Sequence, residues 1–387
     1  MNFLKTKGIY TLFTVLPLLM ILAISVFGWN ASWRFFQIPS ASPSFFDFRI
    51  LPAAVLSDSA GFNPQYINPY DPAQRLLNYP SVWIQISKFL DLSNQYFFYL
   101  AASLIVAIYL CCCFKLLKLS ESFWVIFIVF SGSSLLAMER ANTDLVIFIL
   151  LFFSAVSPKW LGIIFNLIGV ALKIYPFFAL IAFHKQRKSF FCGVLISVAI
   201  FYVYSDQLSV LVNNTQISYG ASYGSLAITN SLIAKLNLHI DKWWISLTFS
   251  MVAFLLLSVK KSFVEYSRIS VLDIDLCMVG ASVYVGTFLL MSNWDYRLIF
   301  LNLCLPLISK INDLKLKHAI YAGLFFSCNQ FLLRFFFGQV GAIFNMLTKS
   351  IIFILCLIFI LDILRKNAVG RQHLSLSPSA LSPATLV

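Results

Sequence analysis

The chain has 387 residues, of which 60% are hydrophobic and only 11% charged, with a mean hydropathy of +0.86 and a formal net charge of +13. A water-soluble domain carries about a quarter charged residues, so this composition excludes a soluble globular enzyme and indicates an all-α polytopic membrane protein. The basic excess calls for no nucleic acid, because Lys and Arg collect in the cytoplasmic loops of membrane proteins.

Lys5 and Lys7 precede an apolar run from Ile9 to Phe27. Gly28-Trp29-Asn30 does not resemble a signal-peptide cleavage site, so this run is expected to stay as a first helix with its N-terminus inside. Residues 29–95 follow as a long first outer loop rich in Pro, Asn, Tyr and Phe, within which Val82 to Leu92 reads as an amphipathic helix lying at the interface. Further apolar runs place spans near 96–114, 122–138, 143–157, 189–205, 243–259, 271–291, 297–309, 318–338 and 342–364. The stretch from Trp160 to Phe183 is interrupted by Lys173 and Pro176. Read as one span, it would put the basic cluster His184 to Lys188 outside and reverse the charge bias of everything after it. A hairpin turning at Lys173-Ile174-Tyr175-Pro176 keeps that cluster, and most of the 28 Lys and Arg residues, on the inner side. Its arms would cover only about 20 Å each, a length tolerated where the tip is buried in protein or lines a cavity.

The expected product is a bundle of about 12 transmembrane segments with both termini cytoplasmic. It occupies residues 1–366, with a second outer loop at 206–242 whose Gly- and Ser-rich part, Tyr219 to Gly224, is expected to be flexible. Residues 367–387 are Ser-, Pro- and Ala-rich toward the end and are expected to form a disordered cytoplasmic tail. The eight cysteines lie in apolar runs without a CxxC pair, and the four histidines are scattered without ligand spacing. That pattern supports neither a disulfide framework nor a zinc site.

Four polar clusters interrupt this apolar chain and are expected to emerge on the outer side: Phe45 to Arg49 around Asp47, Glu139 to Asp144, Lys173 to Pro176, and Asn293 to Arg297. Asp47 reads either as a loop carboxylate paired with Arg49 or as a general base shielded by aromatic residues. Arg140, Lys173 and Arg297 lie close to the hydrocarbon boundary, where an ionisable group costs several kcal/mol unless it snorkels or finds a partner, on the order of the insertion scales. Pairing of Glu139 with Arg140 and of Asp295 with Arg297 competes with a substrate role, and helix capping by Thr143 or Asp144 competes with one for Asp144. An arginine fork suits phosphate, and lysine supplies a point charge.

Cations plus one carboxylate at a lipid–water boundary suit sugar transfer from a polyprenyl phosphate. Negative charge develops on the departing phosphate, preplaced cations stabilise it, and one base on the acceptor hydroxyl then suffices. Direct displacement inverts the anomeric centre. These residues require no cofactor, and a divalent ion at Asp47 stays open.

At these positions the chain resembles the family 87 glycosyltransferases of the GT-C class, the DUF2029-type membrane mannosyltransferases. The resemblance is carried by Asp47-Phe48 with Ala53-Ala54, Asn68-Pro69-Tyr70 and Tyr79-Pro80, then Arg140-Ala141-Asn142, Leu172-Lys173-Ile174-Tyr175-Pro176-Phe177 and Asp295-Tyr296-Arg297-Leu298-Ile299-Phe300, in that order over residues 45–300. Ser81 stands where members often carry a second proline, and Arg140 where many carry glycine. The resemblance implies a polyprenyl-phosphate sugar donor, a lipid- or glycan-linked acceptor on the non-cytoplasmic face of the plasma membrane, and Asp47 as the first-loop base. Arg140, Lys173 and Arg297 would hold the donor phosphate, while Tyr70, Tyr79, Asn142, Tyr175, Trp294 and Asp295 would line the substrate groove. A lipid-linked sugar flippase and a surface-polysaccharide ligase or polymerase are the alternative readings.

Overall fold

The computed structural model describes residues 2–215, 221–259, 264–265, 269–290 and 293–375. Regular structure is almost wholly helical. Among the described residues the strands are two-residue segments, β1 (Ser222–Tyr223) and β2 (Asn293–Trp294), paired antiparallel with Ser222 opposite Trp294. Among the described residues five helices are long and apolar enough to cross a bilayer: Lys7–Phe27, Gln95–Ser120, Lys242–Val259, Val271–Leu290 and Gln330–Lys366. A sixth arises if Arg187–Val203 and Ser205–Asn214, bent by 77° at their junction, form one broken span. This is an all-α membrane protein.

The remaining apolar runs are shorter pieces than the expected spans, with breaks that have local causes. Residues 122–138 divide into helices Trp124–Val129 and Gly132–Arg140. The break seats against another helix end: Gly132 N–H donates to Asn329 Oδ1 at 2.9 Å and Ser133 Oγ to the Cys328 carbonyl at 3.0 Å. The run expected at 318–338 ends at Cys328, and helix Gln330–Ser375 follows with a kink at Gly338 (φ 52°, ψ −128°). That helix carries on through residues 367–375. The rest of the tail, 376–387, lies outside the described residues, as do Tyr219, Gly220, Lys260, Lys261 and Arg268.

Helix Val271–Leu290 is the axis of the molecule. Its most apolar stretch is 83% buried, against 6% for Lys7–Phe27, which sits at the periphery with Leu18, Leu22 and Phe27 exposed. Helices that are apolar on every side belong either inside a protein or against lipid, and these two are one of each. Two glycines let the axial helix accept close neighbours. A Cβ at Gly280 would stand 2.5 Å from the Phe300 carbonyl oxygen, and one at Gly286 2.2 Å from the Phe178 ring. The neighbours so admitted are two 3-10 helices, Asp295–Cys304 and Tyr175–Phe183, which carry the later polar clusters.

The hairpin forms between Lys159 and Phe183. Helix Lys159–Leu172 stops, Lys173 is extended (φ −152°, ψ 138°), and Tyr175–Phe183 returns alongside. Gly169 meets Pro176 and Gly162 meets Phe183, while Asn166 Nδ2 donates to the Pro176 carbonyl at 3.3 Å. The second arm is a 3-10 helix rather than an α-helix. At roughly 2 Å per residue its nine residues reach about 18 Å, close to the roughly 21 Å of the fourteen-residue α arm. The first loop folds over this tip. Helix Val82–Phe89 buries Trp83, Ile84 and Ser87, and the Trp83 indole N–H donates to the Leu172 carbonyl at 3.0 Å, satisfying a group that the helix end leaves without a partner. The described part of the Gly- and Ser-rich segment is not loose: Ser222–Tyr223 is the strand that pairs with Asn293–Trp294.

Candidate functional site

The turn carrying Asp47 is pinned by its neighbour: Phe48 N–H donates to the Arg140 carbonyl at 3.2 Å. Helix Gly132–Arg140 stops there because Ala141 is left-handed (φ 43°, ψ 43°), with Asn142 N–H returning to the Ala137 carbonyl at 3.0 Å. That conformation costs an L-residue about 1–2 kcal/mol. It turns Asn142 between two carboxylates. Asn142 Nδ2 donates to Asp47 Oδ2 at 2.8 Å, and Asn142 Oδ1 accepts the Asp144 N–H at 2.9 Å. The first turn of helix Asp144–Val156 is therefore served by Asn142, and neither Thr143 nor Asp144 caps it with its side chain.

Asp47 Oδ1 meets two arginines, Arg75 Nη1 at 3.3 Å and Arg140 Nη1 at 3.4 Å. Arg75 is held by Asp71, donating from Nε at 3.0 Å and Nη2 at 2.9 Å, and its guanidinium lies 3.9 Å from the Phe46 ring centroid. Arg140 also pairs with Glu139 at 2.7 Å, as the sequence allowed, and Glu139 Oε1 accepts from the Trp29 indole at 3.1 Å and Ala41 N–H at 2.9 Å. Arg49 does not pair with Asp47. It donates to the Ser44 carbonyl and to the Tyr99 hydroxyl, each at 2.8 Å.

The second half centres on Asp144. Its carboxylate pairs with Lys173, accepts from the Tyr175 hydroxyl at 2.6 Å and meets Arg297 Nε at 3.2 Å. Lys173 Nζ lies 4.9 Å from the Tyr79 ring centroid, and the Arg297 guanidinium 4.8 Å from that of Tyr175, so aromatic faces cover both cations. Arg297 also donates to Asn293, in β2. Lys173 does not snorkel; it is buried and paired. Burial pushes the Tyr79 phenol well above its usual range, the charge of Asp47 adding to the effect, so Tyr79 stays protonated.

Asp47, Asn142 and Asp144 thus join one network. Its charged members are Arg75, Arg140, Lys173 and Arg297 against Asp47, Asp71, Glu139 and Asp144, four positive and four negative, a balance of zero. The side chains of Asp71, Glu139 and Asp144 are 0% exposed, whereas Asp47 is 18% exposed. Among the three cations expected to hold phosphate, Arg140 is the most open at 21%, against 13% for Arg297 and 7% for Lys173.

The other expected groove residues divide. Tyr79, Tyr175 and Asn142 lie inside the network. Trp294 borders it, its ring stacked at 6.0 Å on Tyr296, a residue within the field of Asp47, Asp144 and Arg297. Tyr70 is 51% exposed on the loop surface, and it is the following residue, Asp71, that reaches inward. Asp295 is not paired with Arg297; it binds Lys349 Nζ at 2.6 Å in a separate cluster. The sequence reading did not anticipate Arg75, Asp71, Tyr296 or the central place of Asp144. The Asp71-x-x-x-Arg75 spacing was the one available signal for the first pair.

Among the described residues no three His, Cys, Asp or Glu side chains gather as metal ligands would, and two guanidinium groups beside Asp47 make poor surroundings for a divalent cation. The arrangement as a whole offers one solvent-facing carboxylate braced by arginines above a buried, balanced set of charges. Comparison with family models, curated proteins and solved structures finds no match for this chain.

Proposed function

We propose that this chain is an integral-membrane glycosyltransferase of GT-C type. It would transfer a hexose such as mannose from a polyprenyl phosphate to a lipid- or polysaccharide-linked acceptor hydroxyl, with inversion, on the non-cytoplasmic side of the plasma membrane. In this reading the short helical pieces complete about 12 membrane segments, and both termini are cytoplasmic. The observation carrying the proposal is the exposure of Asp47, the one carboxylate of the network that meets solvent. A general base must reach its proton and be held in place while doing so; Asn142, Arg75 and Arg140 supply the hold. Arg140 is the exposed cation beside it, suited to charge growing on a departing phosphate. Lys173 and Arg297 act from behind, through Asp144.

Purified protein in lipid nanodiscs, given labelled polyprenyl-phosphate mannose and lipid acceptors, tests the reading. Asp47→Asn is expected to lower transfer by about 10²–10⁴-fold. Folding should survive it, because Arg75 keeps Asp71 and Arg140 keeps Glu139. Transfer that persists in Asp47→Asn removes the base. ATP-free flipping of the donor by both proteins favours a flippase, and turnover only with a lipid-diphosphate donor favours a polysaccharide ligase or polymerase.

A further inference from the structure

A cavity of about 150 Å³ lies apart from the Asp47 network, between β1, the helix after it (Ser225–Leu236) and the kinked stretch of helix Gln330–Ser375. It is roomy enough to hold several water molecules or a small polar group. Its polar wall includes Lys349, Arg334 and Gln330; its apolar wall includes Ile228, Phe288 and Met346.

The polar wall consists largely of donors. Lys349 Nζ donates to Asp295 Oδ1 at 2.6 Å, Gln330 Oε1 at 3.1 Å and the Ser222 carbonyl at 3.2 Å. An ammonium offers only hydrogens, so this contact fixes the amide of Gln330: the oxygen faces Lys349 and Nε2 is left as a donor. Gln330 is 3% exposed, and that Nε2 has no hydrogen-bond partner. A buried amide donor left without a partner is unfavourable, and a ligand acceptor relieves it. Arg334 lines the same cavity and is engaged in no ion pair among the described residues. Lys349 and Arg334 against Asp295 leave one positive charge in surplus, two minus one, whereas the Asp47 network is balanced.

The stretch of helix Gln330–Ser375 that lines the cavity also carries apolar surface. Phe335, Phe336, Phe337 and Val340, around the Gly338 kink, are each more than half exposed. In a membrane protein such a face meets hydrocarbon.

We propose that this cavity binds a phosphate ester carried on an apolar chain, with Arg334 and the Gln330 amide on the phosphate oxygens and the chain leaving past the Gly338 kink. Arginine's planar fork suits two phosphate oxygens, and Lys349 adds charge from behind. The site does not depend on Asp47 acting as a base.

The test is equilibrium binding to the full chain in detergent, using a twenty-carbon prenyl phosphate, the matching prenyl alcohol, a diacyl phosphate and inorganic phosphate. The expected result is saturable binding of the prenyl phosphate, at least tenfold weaker in Arg334→Ala and weaker again in Arg334→Glu. Arg334 is exposed, so neither change should disturb folding. Gln330→Leu, which removes the donor, should also weaken binding. Competition by the diacyl phosphate assigns the site to lipid phosphates generally; equal competition by inorganic phosphate assigns it to the head group alone. Prenyl alcohol binding as tightly as the phosphate, or affinity unchanged in both Arg334 variants, overturns the proposal.

Discussion

Asn142 donates to Asp47 at 2.8 Å while its own side-chain oxygen holds the Asp144 backbone N–H at 2.9 Å. One amide therefore fixes the exposed carboxylate relative to the buried one. The first-loop turn, the end of helix Gly132–Arg140 and the start of helix Asp144–Val156 are registered by this single side chain.

Asn142→Ala should therefore cost activity out of proportion to stability. A hydrogen bond to a charged group contributes about 1.5–3 kcal/mol, so transfer is expected to fall roughly 10- to 100-fold. Asn142→Asp should be worse, because it places a like charge against Asp47. Rates of labelled sugar transfer for the two variants measure this, and a near-normal rate in both would mean that Asn142 does not position Asp47.

Asp144→Asn should be the most damaging change to folding. It strands Lys173 and Arg297, two buried cations, without their carboxylate, and breaking a buried pair this way costs about 3–5 kcal/mol. Lys173→Met should cost less, since Asp144 then keeps Arg297 and Tyr175. Thermal unfolding in detergent orders the three proteins; Asp144→Asn melting with the parent would show that the ion pairs do not hold the hairpin tip.

Gly280→Ala tests the close packing of the axial helix. The added methyl would stand 2.5 Å from the Phe300 carbonyl, a backbone group that cannot swing aside. Overpacking of this kind costs about 1–3 kcal/mol, and here it pushes on the 3-10 helix that carries Asp295 and Arg297. A lowered melting temperature together with reduced transfer is expected. Unchanged values for both would mean that the two elements can separate freely.

Much of this was legible in the chain. The interruption by Lys173 and Pro176 located the reversal and charge bias required it, because a single span would have carried Lys185, Arg187 and Lys188 outward. The polar clusters at 47, 140–144, 173–175 and 297 were visible as interruptions of apolar sequence, and the structure brings them together. Their pairing was not visible. Asp144 looks like a helix start in sequence, and only the packing of both 3-10 helices on one glycine-bearing helix delivers Lys173 and Arg297 to the same carboxylate. Arg75 was hidden for a different reason: the loop must first fold back for it to reach across 28 residues to Asp47. Span lengths were overestimated where hydropathy ran on through a break, as at Phe130-Ser131, because an apolar residue at a turn looks the same as one inside a helix.

Eight ionised groups that cancel one another constrain how this chain can change over time. Losing one of the fully buried members, Asp71, Glu139 or Asp144, uncovers an opposite charge shielded from solvent, so substitutions there are viable chiefly as matched exchanges, acid and base departing together. In lineages descended from this protein, those positions should vary in couples, and Asp47, open to solvent, is the member physically freest to depart alone.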